Sequence, residues 1–450
     1  MNEKLAPVSA AQRVETIDIL RGFAILGILV VNVLYMFDTW FAAHLTESTT
    51  VADRLAYFLT NTFFVSKFFT LFSFLFGLGL YIQMNRAEAK GRRFLPVYLR
   101  RMVVLALFGF AHAALFWVGD ILFLYAILGV IAAVAFRKAS PRALLIWAVV
   151  LIAIPLLFIT LATGAIEFAR LAPPESGTME GIEASFAESR AMLDGFDAEA
   201  RRIYAGGTWS EITAHRVREF GTLLFSSNLF MAPSVLAMFL IGLRAGKKGW
   251  FRLGTTASDS DKSREGQAGD GRDRDGERQE AGDDQRRERF RRILRRALPP
   301  GLALNLYVGL SGFELNRLGM EVLAWRDAVA VTALGVGSVL LSLSYVAMIA
   351  ILAEKPRGHR VLAPLAPVGR MALTNYILHS VVMSTLAYGY GFALFGRVPV
   401  WAGFLMAFAL YAIQIPFSRW WFGRFRFGPL EWLWRVLTYG AVPSPAPRQA

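Results

Sequence analysis

Two histidines stand inside apolar runs, His112 in FGFAHAALFWVGD and His379 in GRMALTNYILHS. An imidazole titrates near neutral pH, so either could take a proton as a general base or carry a transferred group itself. Asn375 lies four residues before His379 and shares its helix face, with Tyr376 and Ser380 beside them. In TIDILRGFAILGILVVN, residues 16–32, Asp18 and Arg21 are three apart and also share a face. Asn32 follows Arg21 by eleven residues. That is close to three turns, so Asn32 returns to the Arg21 stripe about 16 Å along the axis. Asn32 or Asn375 could donate to a developing oxyanion. Arg21, beside Asp18, and Arg370 could form a basic mouth suited to phosphates. Asp120 follows His112 by eight residues. On one helix that spacing puts it about 80° around and 12 Å further along, so Asp120 is expected at a mouth, holding an acceptor or capping a turn, and not on His112 through the same helix. The ordinary reading of these groups is ion pairing at a helix start, hydrogen bonding between helices and charge anchoring.

The elements that would position them are membrane helices. The chain has 450 residues, of which 55% are hydrophobic and only 18% charged. Each span needs about 20 apolar residues. About ten such runs are expected, near 17–36, 64–84, 102–118, 121–136, 143–163, 221–244, 299–318, 328–353, 368–394 and 400–418. The fold class is therefore an all-α polytopic membrane protein. On this division His112 and His379 sit near mid-membrane, where an ionisable side chain is a functional candidate. The third and fourth spans meet at Gly119-Asp120, which reads as a tight hairpin.

Charge sets the orientation. Arg and Lys crowd the connections after the second, fourth, sixth, eighth and tenth spans, for example Arg92, Arg93, Arg137, Lys138, Arg244, Lys247, Lys355 and Arg424. The positive-inside rule makes that side cytoplasmic, together with both termini. The net charge of +14 is read the same way, and nucleic acid is not expected as a partner. With no cysteine, disulfides and thiolate chemistry are excluded. No metal-ligand cluster and no phosphate-cradling loop is present in the sequence, and GLGLY at 77–81 reads as helix packing. No cleavable leader is expected ahead of the first span.

Three units follow. Residues 1–163 form an N-terminal membrane half, 164–220 a large extracytoplasmic loop, and 221–440 a C-terminal membrane half. The loop holds acidic residues such as Glu175, Glu188 and Asp197 and is expected to lay amphipathic helices over the outer mouth. A charged linker at 254–297 interrupts the last unit; its stretch 257–289 has too few apolar residues to fold and is expected to be disordered. The following 290–298 is expected as a basic helix on anionic lipid. A short interfacial helix at 52–62 would leave Lys67 near the outer surface.

Five stretches taken together resemble a known family. RVETIDILRGFAILGILVVN (13–32), KFFTLFSFLFGLG (67–79), GDILFLYAILG (119–129), GRMALTNYILHS (369–380) and FGPLEWLWRVLTY (427–439) are similar to the YeiB-like bacterial inner-membrane proteins, whose C-terminal half is a domain of unknown function, number four hundred and eighteen. The N-terminal pattern is similar to that of a broader group of transmembrane acyltransferases, including the lysosomal glucosaminide N-acetyltransferase. Those proteins pass an acyl group from cytoplasmic acyl-CoA to a sugar across the membrane. The resemblance implies that Asp18, Arg21 and Gly22 match the first-span signature and that His112 with Gly119-Asp120 matches the third-span pattern. Asn32 stands where some relatives carry another polar residue, often histidine, and His379 where glutamine is commoner.

The resulting expectation is an inner-membrane acyltransferase with acyl-CoA as donor and no metal. Its partners would be the lipid bilayer and a small-molecule or glycan acceptor, with a homo-oligomer left open. Two other readings stand beside it: a transporter using the same polar cavity, and a structural or signalling membrane protein.

Overall fold

The computed structural model describes residues 15–40, 50–225, 227–251, 271–314 and 321–440. Among them every regular element is helical. In chain order these are α1 (Glu15–Met36), α2 (Val51–Phe63), α3 (Lys67–Ala89), α4 (Phe94–Leu115), α5 (Leu122–Ile131, prolonged by one π turn), α6 (Pro141–Ala169), α7 (Thr178–Gly206) and α8 (Trp209–Phe225). Then follow α9 (Ser227–Lys247), α10 (Gly271–Ser311), α11 (Trp325–Ala353), α12 (Pro356–Leu362), α13 (Leu365–Arg370), α14 (Ala372–Ala387), α15 (Val400–Phe422) and α16 (Pro429–Tyr439).

Among the described residues six segments are long and apolar enough to cross a membrane: Glu15–Met36, Val51–Ala89, Phe94–Leu115, Pro141–Ala169, Trp325–Ala353 and Val400–Phe422. The protein is thus an all-helical, multi-pass membrane protein. The other expected spans take different forms. The run at 121–136 is a short apolar helix, Leu122–Phe136. Of the run at 299–318, residues 299–311 form the end of α10 and 315–318 lie outside the described residues; the run at 368–394 divides at Met371 into α13 and α14 and leaves the helix at Tyr388.

Close backbone approach builds the bundle. A Cβ on Gly77 would overlap the Phe239 carbonyl, and one on Gly242 would overlap the Phe74 carbonyl. So the FLFG and FLIG stretches of α3 and α9 meet with nothing between their backbones, and GLGLY is the packing feature its composition suggests. Gly246 against Tyr81 continues the contact in the same direction, which makes the two helices parallel.

One end of the bundle gathers the basic connections. Lys247 donates to the carbonyls of Arg137 (2.8 Å) and Ala139 (2.9 Å), and Arg244 to that of Pro141 (3.0 Å). His359 meets Glu15 at 3.2 Å there. The opposite end is capped by α7 and α8, as the composition of 164–220 suggests. Gly389, just past α14, donates to the Tyr204 carbonyl of α7 at 2.8 Å.

The charged stretch, expected to be disordered, is helical from Gly271 onward, and 257–270 lies outside the described residues. Asp283–Arg286 and Asp284–Arg287 pair one turn apart along α10. Arg287 then reaches Glu354 at 2.7 Å, and Arg289 the Lys248 carbonyl at 3.0 Å. Docking onto the basic end supplies the contacts that composition alone does not promise. The 290–298 stretch also turns a face to the protein: Phe290 is buried, its ring 5.6 Å from that of Phe251. Lys67, the first residue of α3, is fully buried within the bundle. Ser66 adopts a left-handed φ of 67° between α2 and α3, and the Lys67 amine turns back to the Asn61 carbonyl at 2.6 Å. It satisfies a carbonyl that the end of α2 leaves open.

Candidate active site

Helix α4 stops at Leu115, where the backbone N–H groups of Phe116 and Trp117 both close onto the His112 carbonyl. The chain then reverses through Gly119-Asp120 into α5. This reversal carries Asp120 back to His112: Asp120 Oδ2 lies 2.8 Å from His112 Nδ1. Asp120 reaches His112 through this reversal and not along one helix, since α4 ends before Asp120. The other carboxylate oxygen, Oδ1, accepts the Phe123 N–H at 2.8 Å and caps α5. Gly109 leaves the room for this, because a Cβ there would press on Asp120 Oδ1 and the Phe123 nitrogen.

The second imidazole nitrogen faces α14. His112 Nε2 lies 2.8 Å from Ser380 Oγ. His112 is 1% exposed, Asp120 4% and Ser380 0%, and the Tyr376 ring packs 4.9 Å from the imidazole. An ionised carboxylate only accepts, so we assign the Nδ1 proton to the bond with Asp120. Nε2 is then the acceptor, and the Ser380 hydroxyl donates to it. Other hydroxyls within these helices turn back to their own backbone: Ser73 to Phe69, Thr160 to Leu156, Ser344 to Leu340 and Thr385 to Val381. Ser380 does not; its partner is His112.

His112 lies in the last turn of α4, toward the capped end, and not midway along its helix. The helix begins at Phe94, which puts His112 about 27 Å from its start.

Asn375 and His379 face away from this cluster. The Asn375 amide donates to the Val368 carbonyl (3.1 Å) and Ser418 Oγ (3.2 Å). His379 Nε2 meets Gln414 Oε1 at 2.7 Å, and Gln414 donates back to the Asn375 carbonyl at 3.3 Å. Both residues therefore tie α14 to α15. Tyr376 and Ser380, also four apart, form the neighbouring face of α14 and meet α4. The periodic signal for Ser380 was equal to that for His379; its hydroxyl simply carries less chemical expectation than an imidazole.

At the basic end Asp18 and Arg21 form an ion pair at 2.9 Å, with Arg21 partly open to the surroundings. Gly369 packs directly on the Asp18 carbonyl and the Gly22 nitrogen, so Arg21 and Arg370 flank one helix contact. The Arg370 guanidinium lies 3.7 Å over the Phe422 ring. Ser380 is eight residues into α14, about 12 Å further along. The Asn32 side chain makes no hydrogen bond with another described side chain and is not joined to His112, Asp120 or Ser380. Glu431 of α16 caps the start of α14 through Thr374 Oγ1 (2.6 Å) and the Leu373 N–H (2.8 Å). Burial pushes its carboxyl upward.

At the capped end Arg216 of α8 is fully buried. It donates to the Leu115 carbonyl (2.6 Å) and the Tyr390 hydroxyl (3.2 Å), with the Tyr388 ring 4.8 Å away. Tyr390 in turn donates to Ser384 Oγ at 3.0 Å, one turn beyond Ser380. Arg216 thus seats α8 on both helices of the cluster, a role that an arginine in a polar loop does not reveal in sequence. Beside it Glu219 accepts from the Tyr204 hydroxyl; burial and the Asp197 charge push its carboxyl up to about 7, against the lowering effects of Tyr204 and Arg216. Burial holds the nearby His215 below its ordinary value, with the Glu199 charge opposing. Among the described residues no three His, Asp or Glu side chains converge as a metal site.

Two family profiles match the chain. "Protein of unknown function (DUF418)" covers residues 283–441, and "Heparan-alpha-glucosaminide N-acetyltransferase, catalytic" covers 13–176. His112 and Asp120 fall in the second and Ser380 in the first, so the two matches meet at one hydrogen bond. The chain is 33% identical to YxaH of Bacillus subtilis, over 97% of this chain and 96% of that protein. It is 28% identical to a 39.9 kDa protein from the amylase 3' region of Bacillus acidopullulyticus, over 96% of each. It is 27% identical to YeiB of Escherichia coli, over 96% of this chain and 97% of that protein. No solved structure matches. With that identity to YxaH along nearly the whole of both chains, the likeness to YeiB and the C-terminal DUF418 match, the chain belongs to the YeiB-like, DUF418 family.

Proposed function

We propose that the protein is a membrane acyltransferase, taking an acyl group from cytoplasmic acyl-CoA and passing it to an acceptor at the capped, extracytoplasmic end. The observation that carries this reading is the buried Asp120–His112 bond, inside the segment that matches an acetyltransferase catalytic profile. Asp120 holds His112 in the tautomer whose Nε2 can take a proton. Burial excludes water, which would otherwise hydrolyse an activated acyl group.

Orientation follows from charge. The connections gathered at one end are basic, and that end is cytoplasmic by the positive-inside rule. Arg21 and Arg370 lie there, and their guanidinium groups suit the phosphates of a CoA donor. The six long helices, the short apolar helix and the apolar parts of α9, α10 and α14 together make about ten passes, with α7 and α8 over the outer mouth. The acceptor is an envelope glycan, a lipid or a metabolite that reaches the cluster from beneath α8.

The test uses purified protein in proteoliposomes, with radiolabelled acetyl-CoA on the basic face and envelope extract on the other. Release of CoA that depends on the extract and disappears in His112→Ala supports the proposal. No release from folded protein across a range of acyl-CoAs would overturn it and favour a transport path through the same polar groups.

A further inference from the structure

We infer that Ser380 is a covalent nucleophile, carrying the acyl group as an ester between donor and acceptor. Asp120 Oδ2, His112 and Ser380 Oγ are linked in series by two bonds of 2.8 Å, one to each imidazole nitrogen. A carboxylate on Nδ1 and a hydroxyl on Nε2 is the arrangement that activates a serine. The carboxylate is itself fixed by the Phe123 N–H, so it offers His112 Nδ1 a partner held in place. Ser380 is the one of these serines that gives its hydroxyl to a base and not to the preceding turn. Its α14 backbone is held at the start by Glu431 and laterally by the Asn375 and His379 bonds to the helix α15 side. Those polar groups hold the helix; none of them neutralises the Ser380–His112 pair.

The chemistry balances within these groups. Ser380 Oγ attacks the carbonyl carbon of an acyl thioester while His112 Nε2 takes the hydroxyl proton. The carbon–sulfur bond breaks, and the thiolate leaves with the proton from His112. An acceptor hydroxyl or amine then gives its proton to Nε2 and attacks the Ser380 ester. The ester bond breaks, and Ser380 Oγ recovers the proton from His112. Asp120 is a positioning residue throughout. The thioester donor rests on the acyl-transfer reading above; the activation of Ser380 does not.

A fluorophosphonate reagent tests activation without any acyl donor. Intact protein in lipid nanodiscs would be treated with fluorophosphonate–biotin, and the labelled peptide identified by mass spectrometry. The expected label is on Ser380, absent in Ser380→Ala, and slowed at least about 100-fold in His112→Gln. Folded wild type that is not labelled at Ser380, or a His112→Gln variant labelled at the wild-type rate, would overturn the inference. Acetyl-CoA without acceptor is the second arm, read as one acetyl group added to Ser380. Fluorophosphonate labelling with no acetylation by any acyl-CoA keeps the nucleophile and removes the proposed donor. Acyl transfer at an undiminished rate in Ser380→Ala keeps the transferase and removes the nucleophile, leaving His112 to act directly on the acceptor.

Discussion

The Ser380 hydroxyl meets Nε2 of His112 at 2.8 Å, joining residues 268 positions apart in the chain. Asp120 meets the opposite nitrogen at the same distance. The helix carrying His112 and the helix carrying Ser380 therefore hold each other's reactive group in register, and the cap helix α8 is seated on both.

Asp120→Asn keeps an oxygen for the Phe123 N–H but presents a weaker, neutral partner to Nδ1. It should leave the fold nearly as stable as wild type while slowing Ser380 labelling and acyl transfer by about 10²–10⁴-fold. Asp120→Ala loses the cap as well and should cost about 1 kcal/mol more in stability. Thermal unfolding beside the labelling rate separates the two effects. Equal melting losses in both variants would contradict the capping role.

Gly109→Ala should disturb both Asp120 and the packing of α4 on α5. Its Cβ presses on Asp120 Oδ1 and on the Phe123 backbone nitrogen, so the carboxylate and the start of α5 must both shift. The expected result is a lowered melting temperature together with at least about a tenfold slower labelling of Ser380. Wild-type labelling in this variant would show that the turn accommodates the methyl without moving Asp120.

His379→Ala should be a stability variant. The imidazole bonds Gln414 on the side of α14 away from His112. We expect a loss of about 1–2 kcal/mol from the buried amide left unpaired, with labelling at Ser380 within about threefold of wild type. A collapse of labelling with stability unchanged would place His379 in the chemistry.

The cap should loosen as pH rises. The Glu219 carboxyl moves from an ordinary 4.5 to about 7 in the folded protein, mainly through burial, with Tyr204, His215, Asp197 and Arg216 around it. A raised acid gives stability that is complete below 4.5 and lost as pH climbs through about 7, worth about 3 kcal/mol over that window. His215, held low by burial, works in the opposite sense below its ordinary 6.5. Protection of the 209–225 amides, taken relative to the intrinsic exchange rate at each pH, should therefore fall from pH 5.5 to 8, and Glu219→Gln should remove most of that fall. Protection that stays constant over this range in wild type would refute it.

Arg216→Ala should release the same helix. It removes the bonds to Leu115 and Tyr390, at a cost of about 2 kcal/mol. Faster proteolysis in α8 with the membrane helices still protected is the expected outcome; unchanged protection would mean that aromatic packing alone seats the cap.

Apolar runs, basic connections and the absence of cysteine already determined a helical membrane protein with its basic groups on one side. These are local properties: lipid demands helices, and charge does not cross it cheaply. Helical spacing likewise paired Asp18 with Arg21 and marked His112 and the 375–380 stretch as polar inside apolar surroundings. Tertiary structure alone decided what those groups touch. Period 3.6 assigns residues to a face but not a face to a neighbour, so it could not say that Ser380 and not His379 would meet α4. The sequence marked the hairpin at Gly119-Asp120 but could not say that α4 would stop three residues after His112 and lay Asp120 against the imidazole. It gave no sign of Arg216, whose partners lie at the end of α4 and in the turn after α14, nor that docking to Glu354 would hold the charged stretch in a helix. Contacts between distant segments depend on how whole helices stack, and that stacking is settled by close approaches such as Gly77 on Phe239, which no single window of sequence contains.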